Sequence, residues 1–512
     1  MEPDPTAADQ GGIRARMTVP VLAFGGILMA VMQTVVAPLL PDLPRLTGAS
    51  AGSVSWMVTA TLLTGAVLTP VLGRAGDMYG KRRVLLIALA LMTVGSVLCA
   101  MTSDIRLLIA ARGLQGAAAA VVPLSISILR DELPPARTGS AVALMSSTVG
   151  IGAALGLPLA AIIVQYANWH VMFWATSGLG ALGLALAWWA VRESPVRSPG
   201  RFDTPGALGL AAGLVCLLLG VSQGGQWGWT SPGILGLFAG CVLIMALWWR
   251  QQLRAERPLV DLRLASRPGV ALPHLAALLA GFAFYANSLV TAQLVQAPTA
   301  TGYGLGLSIV GSGLCLLPSG IIMLLFSPVS ARISAARGAR VTLALGALVI
   351  ALGYVLRIAD SRALWAVILG AAVVSTGTTL CYSALPTLIL RAVPGDQTAS
   401  ANGVNVLMRT IGQAVCSAAV AAVLVHHTMP LGGQPVPTLH GYLLAFVMAG
   451  TVALIACAVA LAVPADPGRP GTRAGSSADG GGTLVGASAA GSGTSERTDG
   501  PAGTDGKARE GA

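Results

Sequence analysis

One charged turn decides the fold: Gly73-Arg-Ala-Gly-Asp77-Met-Tyr-Gly80-Lys81-Arg82-Arg83 separates two strongly apolar segments. Residues 53–72 before the turn and residues 84–102 after it contain no charged side chain. At a rise of about 1.5 Å per residue, each segment forms a helix long enough to cross the roughly 30 Å hydrocarbon core of a bilayer. The sequence therefore predicts two membrane helices joined by a short loop that lies in water.

The composition of the whole chain is that of a membrane protein. Its 512 residues are 54% hydrophobic and only 10% charged, with a mean hydropathy of +0.76, whereas charged residues make up about 25% of soluble domains. The net charge of +11 lies in short loops without long basic runs, which predicts contact with anionic lipid and argues against a nucleic-acid partner. All seven cysteines lie in apolar segments without a Cys-x-x-Cys pair. We therefore expect no disulfide, metal site or cofactor.

The apolar segments and the charged loops between them predict the topology. Twelve further segments complete a set of about fourteen candidate spans: 18–40, 105–129, 140–164, 171–191, 205–223, 232–249, 270–291, 305–329, 341–356, 363–390, 400–425 and 441–463. With the N-terminus in the cytoplasm, most loop arginines fall on the cytoplasmic side, and the opposite loops hold only Arg45, Arg106, Arg357 and Arg362. This asymmetry predicts an even number of spans, with both termini cytoplasmic. The richness in Arg, Ala and Gly suggests a bacterial plasma membrane.

The chain also contains an internal repeat. The series Pro70, Gly80 and Arg82 recurs at the same spacing as Pro328, Gly338 and Arg340, although Ala335 takes the place of Asp77. Weaker similarities, in the same order, link residues 116–130 with 377–391 and residues 148–150 with 410–412. Repeats of this kind are typical of transporters built from two halves.

The charged turn resembles the loop between helices 2 and 3 of the major facilitator superfamily. In that loop the pattern Gly-x-x-x-Asp-x-x-Gly precedes two basic residues, which here gives Gly73, Asp77, Gly80, Lys81 and Arg82. The resemblance implies that these five residues gate the cytoplasmic face; a basic loop anchored to lipid headgroups is the alternative. Because about fourteen spans are predicted, the chain resembles in particular the fourteen-helix drug:proton antiporter branch of the superfamily.

That branch implies an all-α polytopic fold of two six-helix bundles with two inserted helices. On this basis we expect a cytoplasmic N-terminal tail at residues 1–17, a first bundle at 18–200 and an inserted two-helix hairpin at 201–255. The second bundle takes up residues 256–463. Residues 464–512 are Gly-, Ala-, Ser- and Thr-rich with almost nothing apolar to bury, which predicts a disordered cytoplasmic tail.

Arg112 and Gln115, in the fourth span, resemble a second motif of the superfamily, whose arginine lies in the central cavity and is linked to proton exchange. An arginine within a membrane span costs at least about 2.5 kcal/mol. Its guanidinium must therefore face a partner or a wet cavity, unless it extends to the nearby membrane interface.

Other polar residues within the spans are candidates for substrate contact. Arg409 shares one face of the thirteenth span with Asn402, Asn405 and Gln413, because these residues recur every three or four positions. Such a stripe either contacts substrate or joins neighbouring helices by hydrogen bonds. The remaining substrate-contact candidates are Gln33, Thr34, Asn287 and Gln293.

In the fifth span, Gly152, Gly156 and Pro158 resemble the antiporter motif of the branch, in which small residues bring two helices together. The proline lies one position late, and alanines replace the closing glycines. Ordinary packing of small residues is the alternative.

The first span departs from the branch at one important position. Met32-Gln33-Thr34 resembles its Asp-x-Thr signature, but Met32 stands where the acid belongs, and none of the predicted spans contains Asp or Glu. A proton-coupled carrier needs a group that binds and releases H⁺, such as a carboxylate or histidine. Asp42, just beyond the first span, and His274 are the candidates. A cavity with unbalanced arginines favours neutral or anionic ligands.

Together these features predict a secondary active transporter that works by alternating access and is not an enzyme. The resemblance implies proton-coupled efflux of amphipathic drugs or antibiotics. The expected partners of the protein are a small-molecule substrate, protons and the lipid bilayer, with no obligate protein partner evident. Metabolite uptake by symport is the alternative within the superfamily. A membrane receptor or enzyme on a carrier-like scaffold is the other alternative, although an enzyme needs clustered His, Cys or acidic residues and the five histidines are scattered.

Overall fold

A computed structural model describes residues 5–36, 39, 43–49, 51–198, 201–256, 258–431 and 434–464. Asp42 and residues 465–512 of the predicted C-terminal tail therefore lie outside the described residues. The described chain is almost entirely helical. Its one sheet within these residues is a hairpin that joins the last two long helices, in which β1 (Thr428–Leu431) pairs antiparallel with β2 (Gln434–Pro437).

Fourteen helices in the described part of the chain are long and apolar enough to cross a membrane, which confirms the predicted number of spans. We number them α1 (Pro5–Thr34), α2 (Ala51–Tyr79), α3 (Lys81–Met101), α4 (Ile105–Glu132), α5 (Pro135–Tyr166), α6 (Trp169–Ala190), α7 (Thr204–Trp227), α8 (Pro232–Arg254), α9 (Pro268–Gln296), α10 (Ile309–Arg337), α11 (Ala339–Ala359), α12 (Leu364–Ala392), α13 (Thr398–His426) and α14 (Leu439–Ala462). A turn of 3₁₀ helix at Gly116–Ala120 interrupts α4. Short helices at Leu43–Thr47 and Leu262–Ala265 precede α2 and α9.

The helices form two bundles with matching packing. In the first bundle α1 packs on α5 and α6, and α3 packs on α4 and α6; in the second, α9 packs on α13 and α14, and α11 packs on α12 and α14. The bundles meet where α2 packs on α13 and where α5 packs on α10. The inserted α7 and α8 pack on each other, and α7 also packs on α2 and α13. The two-bundle prediction is therefore confirmed.

The internal repeat is visible in the backbone. Gly80 and Gly338 each end one helix and begin the next with a positive φ, of 113° and 92° respectively. Two residues later, Arg82 Nη2 donates to the carbonyl of Trp188 at 2.6 Å, and Arg340 Nη2 donates to the carbonyl of Leu461. In both halves an arginine at the start of one helix thus satisfies a carbonyl at the end of the last helix of its bundle. This correspondence confirms the repeat that the sequence predicts.

Two expectations about loops are wrong. Most of the charged turn is helical, since α2 continues to Tyr79 and only Gly80 separates it from α3. Arg357, expected in an outer loop, lies in the last turn of α11 and is 1% exposed. Hydropathy marks where the apolar core of the bilayer ends, but a helix continues wherever its charged ends find partners. α1 begins at Pro5 and therefore includes most of residues 1–17, for which the sequence predicts a cytoplasmic tail.

Candidate functional site

The carboxylate of Asp77 joins the two bundles. It is fully buried on α2, and its Oδ1 and Oδ2 accept hydrogen bonds from the backbone N–H groups of Ala399 at 3.1 Å and Ser400 at 2.8 Å. These N–H groups belong to the first turn of α13, where a helix has unpaired donors and the positive end of its dipole. We call the end of the bundles that holds this contact and Lys81 the basic end.

Lys81 extends this contact into a network of buried polar groups. Its Nζ lies 2.6 Å from Asp131 Oδ2 and 4.0 Å from Asp77 Oδ1, and it donates to Thr398 Oγ1 at 3.3 Å. Ser127 of α4 is also hydrogen-bonded to the Thr398 hydroxyl. Sequence analysis missed Asp131 and Thr398, since nothing in their local pattern links them to residue 81.

Glycine is required at two positions of the basic end, for different reasons. A Cβ atom on Gly73 would lie 2.7 Å from the carbonyl oxygen of Ala399 on α13, and Gly80 has a φ of 113°, which strains any residue with a side chain. Gly73 thus allows close contact between α2 and α13, as the expected role of this residue in a gate requires. Arg82, in contrast, binds within the first bundle through the carbonyl of Trp188.

The segment that follows α6 closes over the network. Glu193 accepts hydrogen bonds from the backbone N–H groups of Arg82 at 3.1 Å and Arg83 at 3.3 Å, and therefore caps α3. Ser194 Oγ donates to Asp131 Oδ2 at 2.5 Å, and the Ser198 N–H donates to the Asp77 carbonyl at 2.7 Å. The link from the first bundle to the inserted hairpin therefore contacts two members of the network, Asp131 and Asp77, as well as the start of α3.

Arg112 is 1% exposed and binds oxygen atoms from three helices. Its Nη1 donates to the carbonyl of Met32 at 3.0 Å and to Gln115 Oε1 at 2.6 Å, and its Nε donates to the carbonyl of Met57 at 3.4 Å. Gln115 in turn donates to Ser96 Oγ at 2.9 Å. The guanidinium therefore faces partners inside the first bundle and does not extend to the interface.

The end of α1 explains why the Met32 carbonyl accepts from Arg112. The helix ends at Thr34, and the last four carbonyls of a helix have no partner within it and lie at the negative end of its dipole. The Met32 side chain is also buried, with its Sδ 3.5 Å from the Ser96 hydroxyl. Among the described residues, no carboxylate oxygen lies within 4.0 Å of Arg112.

Arg409 lies on the predicted polar face of α13, inside the protein. It is 8% exposed, and its Cζ lies 4.5 Å from the ring centre of Tyr382, which in turn makes an edge contact with Phe284. Asn402 and Asn405 on the same face are buried, and Asn402 Nδ2 donates to the Thr398 carbonyl at 2.9 Å. Within the described residues, Asn405 Nδ2 and the Tyr382 hydroxyl have no hydrogen-bond partner.

Sequence analysis missed the burial of Arg357. Arg357 Nη1 donates to Asn287 Oδ1, and its Cζ lies 4.2 Å from the ring centre of Phe446. Asn287 Nδ2 also donates to the Ala371 carbonyl at 3.4 Å. In this conformation the substrate-contact candidate Asn287 therefore links α9 to α11 and α12. The sequence did not indicate this burial, because Arg357 directly follows the apolar run that ends at residue 356 and was therefore expected in a loop.

The remaining substrate-contact candidates make no hydrogen bond to one another among the described residues. Gln33 and Gln293 are exposed, and Thr34 donates to the carbonyls of Ala30 and Val31 in its own helix at 3.3 and 3.2 Å. The glycines predicted from the antiporter motif pack α5 against α1, because a Cβ on Gly152 would lie 2.4 Å from the Ile27 carbonyl and one on Gly156 would meet the Thr34 hydroxyl. Pro158 lies within α5.

Comparisons with known proteins agree with this architecture. The Multidrug resistance protein Stp of Mycobacterium tuberculosis (strain CDC 1551 / Oshkosh) is 28% identical over 415 residues, which cover 80% of this chain and 75% of Stp. The Tetracenomycin C resistance and export protein of Streptomyces glaucescens is 28% identical over 503 residues, which cover 88% of this chain and 92% of that protein.

Two solved structures share the fold at low sequence identity. The human organic anion transporter MFSD10 (TETRAN) has a TM-score of 0.63 and 17% identity, covering 87% of this chain and 99% of its own. The proton:xylose symporter XylE, bound to 6-bromo-6-deoxy-D-glucose, has a TM-score of 0.63 and 15% identity, covering 88% of this chain and 96% of its own. The family model described as Major Facilitator Superfamily matches residues 22–417. That match spans more than half of the sequence, and the chain therefore belongs to the major facilitator superfamily, whose members transport small molecules across membranes.

Proposed function

We propose that the protein is a proton-coupled antiporter that exports amphipathic drugs or antibiotics by alternating access. It works in the bacterial cytoplasmic membrane with its basic end and both termini in the cytoplasm, as the bias of arginine towards that side favours. The names of the two relatives, a multidrug resistance protein and an antibiotic export protein, support efflux.

The observation that carries this proposal is the contact of Asp77 with the first turn of α13. It joins the bundles at the basic end by hydrogen bonds to a carboxylate, each worth about 1.5–3 kcal/mol. Alternating access requires these bonds to break in every cycle, and substrate and proton must then favour the opened state by a comparable free energy. In this interpretation Gly73, Asp77, Gly80 and Lys81 form the cytoplasmic gate, and Arg82 supports it from within the first bundle.

The coupling proton needs a carrier. In the described spans the carboxylates are Asp77, Asp131, Glu132 and Asp396, all of which lie at the basic end. His274 on α9 is buried, and its Nδ1 has no hydrogen-bond partner among the described residues. We therefore assign proton binding to Asp42 or His274, with Arg112 and Gln115 as the buried polar network of the transport path.

The charge of the buried groups bears on the substrate. Arg112 and Arg409 are both buried, and no described carboxylate lies within 4.0 Å of either. Such sites attract neutral or anionic groups and disfavour cations. The Arg409 guanidinium, with Asn405 and the Tyr382 hydroxyl nearby, is the better candidate for substrate contact, because Nε and Nη1 of Arg112 already donate to two carbonyl oxygens and to Gln115.

Transport in inverted membrane vesicles tests this function. When the interior is acidified, addition of an exported drug releases protons from the wild-type vesicles, and the release disappears in Asp42→Asn or in His274→Gln while drug exchange without a proton gradient persists. Asp104→Asn, a change in an exposed residue that caps α4, is the matched control and keeps the release. Net movement of solute together with protons, in the same direction, would contradict antiport and favour the symport alternative.

A further inference from the structure

A groove of about 890 Å³ lies between α3 and α6 at the basic end. Its walls are apolar and are formed by Leu86, Ile87, Ala90, Ala181, Leu184 and Ala185. Ile87 and Ala185 are exposed, so in a membrane-spanning chain the groove opens sideways into the lipid and not towards the other bundle. Its volume lies within the range of sites that hold drug-sized ligands.

The rim of the groove is cationic. Arg82, Arg83 and Arg197 line it together with one acid, Glu193. Both carboxylate oxygens of Glu193 already accept backbone N–H groups of α3, and the ion pairs among the described residues are those of Lys81. The rim therefore has an excess of positive charge that no described acidic side chain balances.

The arginines at the rim have donors available for a ligand. Arg83 and Arg197 are exposed. Arg82 donates from Nη2 to the Trp188 carbonyl, but its buried Nε has no hydrogen-bond partner among the described residues. Guanidinium groups are well suited to phosphate, because their planar set of donors matches its oxygens.

We propose that this groove is a binding site for an anionic glycerophospholipid of the leaflet that faces the basic end. The acyl chains lie between α3 and α6 against the apolar walls, and the phosphate binds at Arg82, Arg83 and Arg197. Basic pockets between membrane helices on the cytoplasmic side are suited to anionic headgroups. The occupant is a lipid rather than a soluble anion, since the cationic rim and the apolar walls form one continuous groove.

Native mass spectrometry of the full-length protein tests the proposal with phosphatidylglycerol and phosphatidylcholine of identical chains. We expect the wild type to retain phosphatidylglycerol preferentially. The double variant Arg83→Gln/Arg197→Gln should lower this retention at least about tenfold, because each arginine near an anionic membrane surface adds about fivefold in affinity. The matched control Arg332→Gln/Arg337→Gln removes two exposed arginines at the end of α10, outside the groove, and should lower retention much less than the groove variant does.

A second variant tests the apolar walls of the groove independently of its arginines. Ala185→Phe fills the apolar part of the groove and leaves the three arginines in place, and we expect it to lower retention of phosphatidylglycerol as well. Equal retention of the two lipids by the wild type would overturn the proposal, and this result requires no variant to fold. An equal loss of phosphatidylglycerol retention in the Arg332→Gln/Arg337→Gln control would show that the lipid responds only to general surface charge, and it would also overturn the proposal. Competition by soluble glycerol phosphate at the same concentration as the lipid would assign the site to a free phosphate.

Discussion

Arg112 donates from Nη1 to the carbonyl oxygen of Met32 at 3.0 Å, so the residue that stands in place of the branch's acid still contacts this arginine, through its backbone. The contact occurs because α1 ends two residues later and leaves this carbonyl without a partner in the helix. The arginine is stabilised by dipoles instead of by a full negative charge. The network is therefore cationic, which is the basis of the first prediction.

Replacing Met32 with Asp should extend transport to organic cations. The new carboxylate would enter the buried network beside Ser96 and Gln115 and would balance the charge of Arg112. We expect Met32→Asp vesicles to export a quaternary ammonium dye that the wild type does not export. Met32→Asn, which is similar in size but uncharged, is the control. If the wild type itself exports such a dye in a saturable manner, the cationic network does not select against cations.

Replacing Arg112 with Lys should slow transport strongly even though the charge is kept. Lysine offers a compact ammonium group and cannot reproduce the fork that binds Met32, Met57 and Gln115 at once. Each buried oxygen left without a donor costs about 1–3 kcal/mol, so we expect a lower melting temperature and at least a tenfold lower transport rate. Differential scanning fluorimetry and vesicle transport measure the two effects. Unchanged transport by Arg112→Lys would show that the fork geometry is dispensable.

Replacing Asp77 with Asn should loosen the basic end. The amide keeps one acceptor for the α13 N–H groups but loses the charge that strengthens both bonds, a difference of about 1–2 kcal/mol. Hydrogen–deuterium exchange should then become roughly tenfold faster in the peptide that spans residues 398–403. Asp396→Asn, in the turn just before α13, removes a nearby charge without touching this contact. Equal exchange in the wild type and Asp77→Asn would mean that other contacts hold the bundles together.

Removing Lys81 should be more damaging than removing Lys81 and Asp131 together. In Lys81→Met the largely buried Asp131 carboxylate loses its ammonium partner at 2.6 Å, and an unpaired buried charge costs about 3–5 kcal/mol. The double variant Lys81→Met/Asp131→Leu removes the Asp131 charge as well, while Asp77 keeps its two backbone N–H donors. We therefore expect its melting temperature to recover much of the loss. Simple additivity of the two single effects would contradict direct coupling of the pair.

The charged turn shows how far local sequence could predict the site. Gly73, Asp77 and Lys81 do lie at the contact between the bundles, since the spacing of residues at one helix end is a local property that a resemblance can identify. Their partners could not be predicted, because Asp77 binds backbone N–H groups more than three hundred residues away and a backbone group leaves no mark in the sequence. For Arg357 the sequence prediction itself was wrong, because a cation beside an apolar run has the same local pattern whether it faces water or the inside of a bundle.

By itself the sequence determined the number of membrane helices, the internal repeat and the position of the charged turn. These follow from hydrophobic length and residue spacing, which are properties of contiguous segments. Only the tertiary structure decided which atoms stabilise the buried charges: the first turn of α13 for Asp77, the Met32 carbonyl for Arg112 and Asn287 for Arg357. The physical reason is that a buried charge is satisfied by whichever dipoles the packed helices place around it, and those dipoles belong to segments far apart in the chain.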